Sequence, residues 1–144
     1  MRKVLLFVLC LGFLGCSMMS VYERTAVQNK TSLAKLSIGM TKEDVLRVMG
    51  TVPNKGKYLD GQEIINNPYK TETLKEGNEI FEAVFYFTDV VEDRGGWMKA
   101  EVTDDELTLL LFKDGKLLGW GDDFAKQTIP NYEVWKFRRF FKDN

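Results

Sequence analysis

The sequence predicts an α+β fold in which two short helices pack on a small antiparallel sheet of three to four strands. The helix signals all lie before residue 53, and the alternating apolar residues that indicate strands begin near residue 69. The chain has 144 residues, of which 44% are hydrophobic, and this is enough apolar material for one core. The length and composition therefore indicate one globular domain.

The first residues are typical of an export signal. Arg2 and Lys3 form a positive region, an apolar run covers residues 4–15, and the chain becomes polar from Ser20 onward. The longest apolar reading, residues 4–19, falls short of the roughly 20 residues that a helix needs to cross a bilayer. A permanent transmembrane anchor is therefore the weaker alternative.

The end of the apolar run, Phe13-Leu14-Gly15-Cys16, resembles the lipobox of bacterial lipoproteins. In such a signal, cleavage follows the small residue Gly15, and the thiol of Cys16 carries a diacylglycerol. The resemblance implies that residues 1–15 are a signal peptide and that Cys16 is the lipid attachment site, with fatty acids such as palmitate. Ser17 then implies the periplasmic face of the outer membrane. The alternative is an ordinary apolar thiol within a signal sequence.

Composition excludes several function classes. Histidine is absent, which removes every Ser-His, Cys-His and His-rich metal site. Lys and Arg total 20 against 21 Asp and Glu, without a block of like charge, so nucleic-acid binding is disfavoured. Three acidic clusters lack the spacing of a calcium loop or a catalytic pair, and we expect solvated loop charges there. These clusters are Glu92-Asp93, Asp104-Asp105-Glu106 and Asp122-Asp123. We expect no catalytic residue, metal or cofactor.

The segment after the signal has little periodicity. Residues 16–30 are predicted to be the lipidated cysteine and a polar tether, with a frayed first helix as the alternative. Thr31 and Ser32 can cap a short helix that ends at Leu36.

The second helix has the clearest local signal in the chain. Thr41 occupies the N-cap position, acidic residues fill the first turn, and Gly50 lies where a left-handed residue ends the helix. Gly39 allows the chain to turn between the two helices. Pro53 prevents the helix from continuing.

The strands are predicted to follow a long loop. Residues 54–67 are rich in Gly, Asn, Asp and Lys, which is typical of a loop. Residues 69–75 and 80–90 are predicted to be strands. The second of these carries apolar side chains on both faces, so we expect it inside the sheet.

A β-hairpin is predicted near the end of the domain. Residues 106–112 and 116–120 alternate as strands, and Asp114 and Gly115 between them supply the positive φ angles of a tight turn. Residues 92–96 are predicted to be a turn before this hairpin.

A run of residues around the second helix carries a family resemblance: Leu36-Ser37-Ile38-Gly39-Met40-Thr41-Lys42-Glu43-Asp44-Val45, then Met49-Gly50-Thr51 and Pro53. The run resembles the helical signature of the SmpA/OmlA (BamE-like) outer-membrane lipoprotein family. The resemblance implies a lipidated tether leading into two short helices on a three-stranded antiparallel sheet, and a role in β-barrel protein assembly. It assigns residues 31–121 to the BamE-like domain and leaves residues 122–144 as an extra C-terminal segment.

The helical signature contains no chemistry, so function must come from exposed surface. Trp120 is expected to cover the sheet edge as a core residue. The aromatic and basic C-terminal segment is predicted to be either an element that packs on the sheet or a helix that docks on a partner or membrane. The candidate partner or membrane contacts are Trp97, Trp135, Phe137, Arg138, Arg139, Phe140 and Phe141.

Taken together, these features predict a noncatalytic, lipid-anchored envelope protein that binds other envelope proteins, with β-barrel assembly components as candidate partners. Its contact with the membrane is through the N-terminal lipid, and no nucleic acid is expected. The alternative is a small inhibitor or sensor module that uses the same scaffold against a periplasmic enzyme or envelope ligand.

Replacing the predicted lipid attachment site tests the anchoring. We expect Cys16→Ser to abolish incorporation of a fatty-acid analogue, because the serine hydroxyl cannot replace the thiol that receives the lipid. Metabolic labelling and membrane fractionation measure this, with Cys10→Ser as the control that keeps its label. Undiminished labelling of Cys16→Ser would contradict the assignment.

Overall fold

Helices precede strands along the chain, and a further helix follows the last strand. The computed structural model describes residues 19–58, 61–91 and 102–136. The helices are α1 (Val21–Leu33), α2 (Lys42–Met49) and α3 (Asp122–Thr128), and residues 132–136 are also helical. The strands are β1 (Asn54–Tyr58), β2 (Gly61–Ile65), β3 (Lys70–Glu76), β4 (Glu79–Phe87), β5 (Leu107–Lys113) and β6 (Lys116–Trp120).

The main sheet confirms the α+β prediction. Its order is β3-β4-β5-β6, every pair is antiparallel, and β1 and β2 form a separate two-stranded sheet. Strand β4 lies inside the main sheet, as its two apolar faces predict. The hairpin of β5 and β6 turns at Asp114 and Gly115, which both have positive φ.

The corner between α1 and α2 covers the outer edge of β6. The Gly39 amide donates to the Leu117 carbonyl at 2.8 Å, and the Leu117 amide donates to the Met40 carbonyl at 2.9 Å. Gly39 has a φ of 86°, a backbone conformation that favours glycine. The segment recognised as a helix corner therefore also satisfies an edge strand that would otherwise expose its backbone groups.

Helix α2 covers one face of the sheet. It begins at the predicted cap, where the Thr41 hydroxyl accepts from the Asp44 amide at 3.2 Å, and it ends at Gly50 with a φ of 86°. Its apolar side joins a buried cluster with alternate residues of the central strands. The buried members are Leu36, Val45, Met49, Val84, Tyr86, Leu110, Phe112 and Leu117.

The C-terminal elements cover the opposite face. Helix α3 and the first residues of the following helical turn pack on the side chains that point away from α2. The buried members of this cluster are Leu74, Phe81, Ala83, Phe85, Leu109, Leu111, Ala125, Ile129 and Tyr132. The C-terminal segment is therefore part of the fold up to the limit of the described residues, which agrees with the packing alternative.

Helix α1 differs from the first prediction for its segment. It begins at Val21, after a capping box between Ser20 and Glu23, and occupies most of the segment expected as a tether, which agrees with the alternative of a first helix there. The predicted helix start at Thr31 is wrong. The buried side of α1 includes Thr25, Asn29 and Ser32 as well as apolar residues, so a search for apolar periodicity alone misses it.

The predicted loop at residues 54–67 is instead mostly a hairpin, β1 and β2, that packs on α1. A Cβ atom at Gly56 would lie 2.6 Å from the Cβ of Val21, so only glycine permits this approach. Glu63 is the cross-strand partner of Gly56, and its carboxylate accepts a hydrogen bond from the Tyr22 hydroxyl. The hairpin forms because α1 supplies a surface for it, and a local sequence signal cannot report that.

Two buried amides connect these pieces. The Asn29 side-chain amide donates to the Asn67 side-chain oxygen at 3.0 Å and to the Phe87 carbonyl at 2.8 Å. The Asn67 amide in turn donates to the Met49 carbonyl at 3.1 Å. These bonds join α1, the end of α2 and the end of β4, and buried groups of this kind are costly to leave unpaired.

The contact between Gly119 and α3 predicts a strong size limit. A Cβ atom at Gly119 would lie 2.7 Å from the Phe124 ring, so we expect Gly119→Ala to lower the free energy of unfolding by about 1–3 kcal/mol through overpacking. Urea unfolding measures this. Gly61→Ala is the control because its Cβ would meet nothing within 4 Å. The cost should shrink in a Phe124→Ala background, and an unchanged cost there would contradict the proposed clash.

Candidate docking site at the C-terminal segment

Trp135, a predicted contact residue, lies on the sheet. Its ring stacks on Phe85 with a centroid distance of 6.3 Å and an interplanar angle of 20°, and it lies 5.5 Å from the Tyr132 ring. Lys70 Nζ lies 5.4 Å from the centroid of the same Phe85 ring. Trp135 is only half-buried. One side of its ring packs on the core, and the rest is exposed near the end of the described chain.

Asp122 fixes the C-terminal helical turn to α3. Gly121, with a φ of 88°, turns the chain into α3, and Asp122 is the first residue of that helix. Its carboxylate accepts from the Tyr132 hydroxyl at 2.7 Å and binds the Lys136 ammonium group. Burial raises the pKa of Asp122, but the bonds from Lys136 and Tyr132 more than offset this, so its pKa lies below the ordinary value of 3.8.

The outward side of the helical turn is open to solvent. Val134 is 50% exposed, and Glu133 forms a surface ion pair with Lys126 at 3.2 Å. An exposed pair of this kind contributes little to stability. The arrangement therefore places an apolar side chain next to mixed charge on the outer surface of this segment.

Most predicted contact residues are not tested by the structure. Cys16, the predicted lipid attachment site, and Trp97 lie outside the described residues, as do the aromatic and basic residues of the tail. These tail residues are Phe137, Arg138, Arg139, Phe140 and Phe141. Trp120 packs, partly buried, against the α2 cluster, in agreement with its expected core role.

Glu106 is buried, which corrects the prediction that its acidic cluster is solvated. The side chain is fully buried and accepts from the Thr103 amide at 2.9 Å and from the Val91 amide at 3.2 Å. Its backbone carbonyl also accepts from the Thr88 amide at 2.8 Å. The spacing of Thr103 and Glu106 is that of a capping box, a signal in the sequence that could have revealed this role.

Glu106 thereby holds together the two chain ends that flank residues 92–101. Asp122, from another of the predicted acidic clusters, is likewise committed to Tyr132 and Lys136. Within residues 19–58, 61–91 and 102–136, no group of three or more Asp, Glu, His or Cys side chains is placed to hold a metal ion. In the same part of the chain, no helix is long and apolar enough to cross a membrane.

Comparison with known proteins adds one family. A family model described as a protein of unknown function, DUF3192, matches residues 16–127. No curated protein and no solved structure matches the chain significantly. The match begins at Cys16 and ends within α3.

The charge on Asp122 predicts an acid-dependent contribution to stability. Because its pKa is lower in the folded chain than the ordinary value, the contribution is complete above that value and is lost as the pH falls through the folded-state pKa. We expect Asp122→Asn to be less stable than wild type at neutral pH, and the difference to shrink in acid. Thermal melting across pH measures this, with the exposed neighbour variant Asp123→Asn as the control. A difference that does not change with pH would contradict the assignment.

Proposed function

This chain belongs to the DUF3192 family, and we propose that it is a noncatalytic, lipid-anchored envelope protein that binds other envelope proteins. The proposed site of action is the periplasmic face of the outer membrane. The observation that carries the proposal is the position of the C-terminal segment, which is fixed to the sheet up to Lys136 and continues from there into aromatic and basic residues.

Support for the lipid anchor comes from the N-terminus. The apolar run ends at Gly15 and Cys16, as a lipoprotein signal does. The family match starts at Cys16, the residue that would be first in the processed chain. The folded domain begins soon after Cys16, because the capping box at Ser20 starts α1.

Support for protein binding comes from the way the domain uses its surfaces. Both faces of the main sheet are covered by the chain's own helices, and β6 is covered by the corner between α1 and α2. Binding must then use the outer surface or a terminal segment. The segment after Trp135 combines aromatic and Arg side chains, which are the types enriched at the energetic centres of protein interfaces.

Support for the absence of catalysis comes from the carboxylates. Two of the three acidic clusters include a side chain that serves the fold: Glu106 binds backbone amides, and Asp122 binds Tyr132 and Lys136. A carboxylate whose oxygens are bound inside the fold is not free to reach a substrate, so these two side chains are poor candidates for a general acid or base. The sequence also lacks histidine, the commonest alternative.

The resemblance to the SmpA/OmlA (BamE-like) family suggests β-barrel assembly components as partners. The described fold shares the predicted order of helix, helix corner and antiparallel strands. It also has a fourth strand in the main sheet and a helical cover on the second face. These additions give this chain an outer surface of its own, so its partner need not be the partner of other proteins with a similar corner.

The tail and its partner can be tested together. We expect the triple variant Phe137→Ser, Phe140→Ser and Phe141→Ser to melt like wild type but to lose its bound envelope proteins, because aromatic side chains that serve an interface contribute much to binding and little to folding. A mild-detergent pull-down of the lipidated chain, analysed by mass spectrometry, measures the loss.

A matched control replaces three exposed apolar residues elsewhere with Ser. Val27, Ile38 and Val52 are each more than half exposed, and their triple variant should keep its partners. Retention of every partner by the tail variant would contradict the proposal. A single stoichiometric enzyme in the pull-down would favour the inhibitor or sensor alternative, whereas β-barrel assembly components would favour the assembly role.

A further inference from the structure

The β1-β2 hairpin has two unlike faces. On the inner face, Gly56 lies against Val21 of α1 and Glu63 binds the Tyr22 hydroxyl. Cross-strand partners share a face, so the pairs Lys55–Ile64 and Lys57–Gln62 form the outer face. All four of these side chains are exposed, and Ile64 is 52% exposed.

The outer face carries two lysines and no carboxylate among its four described side chains. Among the described residues, neither Lys55 nor Lys57 forms an ion pair, whereas the carboxylate of Glu63 on the inner face is bound to Tyr22. The outer hairpin face, defined by Lys55, Lys57, Gln62 and Ile64, is therefore cationic with one apolar side chain. This composition fits a surface of anionic headgroups above an apolar layer.

The chain between the lipid site and this hairpin is short. Only residues 17–20 separate Cys16 from the start of α1 at Val21. Fully extended, the five residue steps from Cys16 to Val21 span at most about 18 Å. The predicted 15-residue tether would have allowed the domain to lie far from the membrane, but α1 occupies most of those residues. The first turn of α1, which the hairpin contacts at Val21 and Tyr22, must then stay near the lipid surface.

The opposite end of the domain is remote. Helix α1 contacts the last residue of β4, because the Asn29 side-chain amide donates to the Phe87 carbonyl. The nine residues of β4 extend about 30 Å from there to the turn at Gly77 and Asn78. The turn at Gly77 and Asn78 therefore lies at the far end of β4 from its contact with α1.

We propose that the outer hairpin face rests on the anionic headgroups of the membrane that holds the Cys16 lipid, and that this contact orients the domain with its Asn78 turn outward. The inference rests on the proposed function in one respect, because it requires the lipid at Cys16. The occupant is the lipid surface, since the anchor brings that surface within reach of the hairpin and the lysines match its charge.

Site-specific fluorescence on the lipidated full-length chain tests the proposal. After signal removal and lipidation of Cys16, Gln62→Cys supplies the only free thiol, and Asn78→Cys supplies a matched one at the remote turn. Each variant is labelled with an environment-sensitive dye and reconstituted into phosphatidylcholine vesicles that contain phosphatidylserine and a nitroxide lipid. We expect a blue shift and strong quenching at position 62, and neither at position 78.

A second set of variants tests whether the contact depends on the positive charge of Lys55 and Lys57. We expect Lys55→Glu with Lys57→Glu to remove most of the quenching at position 62, and the exposed remote pair Lys75→Glu with Lys116→Glu to leave it unchanged. Omitting phosphatidylserine or raising the salt concentration should weaken the quenching in the same way. Should the first charge variant fail to fold, the comparison of positions 62 and 78 still decides.

The outcomes separate the inference from its premise. Equal quenching at positions 62 and 78 in chains that float with the vesicles overturns the hairpin contact and leaves the anchor standing. Quenching at position 62 that persists without anionic lipid and in the charge variant overturns the role of Lys55 and Lys57. Chains that carry no lipid at Cys16 and do not float overturn the anchor and the inference together.

Discussion

The constraint on which the structure depends is that the two central strands are apolar on both faces. In β4, Val84 and Tyr86 point toward α2, and Ala83 and Phe85 point toward α3, and all four are buried. Full burial of a Val or Phe side chain stabilises the fold by roughly 1.5–3 kcal/mol. Either face left uncovered would expose a continuous apolar strip, so the domain needs a helix on each side. Helix α3 and residues 129–135 therefore serve first to cover one face of the main sheet.

Polar contacts decide where these covers sit. The buried amides Asn29 and Asn67 join α1, the end of α2 and β4. Asp122 holds the last helical turn on α3 through Tyr132 and Lys136. Apolar burial is nondirectional, whereas these bonds require particular geometry. The hydrophobic clusters thus provide the stability, and the polar groups specify one arrangement of the peripheral elements.

This division of labour bears on the proposed function. Chemistry-bearing side chains such as Glu106 serve the architecture, and among the described residues the outer hairpin face keeps four exposed side chains. The hairpin lies beside the start of α1, close to the proposed lipid anchor. A small domain held in this way has its orientation limited by its own N-terminus, which favours a role as a docking module over one that requires free diffusion.

Local sequence signals were enough to predict the helix at Thr41, the strand with two apolar faces and the hairpin at Asp114 and Gly115. Each of these rests on local chemistry: a cap, a period-two pattern and a turn with positive φ. The sequence left two alternatives for the C-terminal segment, packing on the sheet or docking on a partner. The stacking of Trp135 on Phe85 shows that the described part packs on the sheet.

The packing of α1 and the formation of the β1-β2 hairpin depend on contacts between elements that are distant in the sequence. The buried side of α1 includes Thr25, Asn29 and Ser32, and Asn29 finds its partners, Asn67 and the Phe87 carbonyl, on elements that are distant in the sequence. The hairpin looks like a loop locally, and it becomes a sheet because Gly56 allows Val21 to approach it. Glu106 combines both cases, because its capping box with Thr103 is a local signal, whereas its bond from the Val91 amide depends on a segment 15 residues away. Local patterns report what a residue prefers, whereas these roles depend on which surfaces the folded chain brings together.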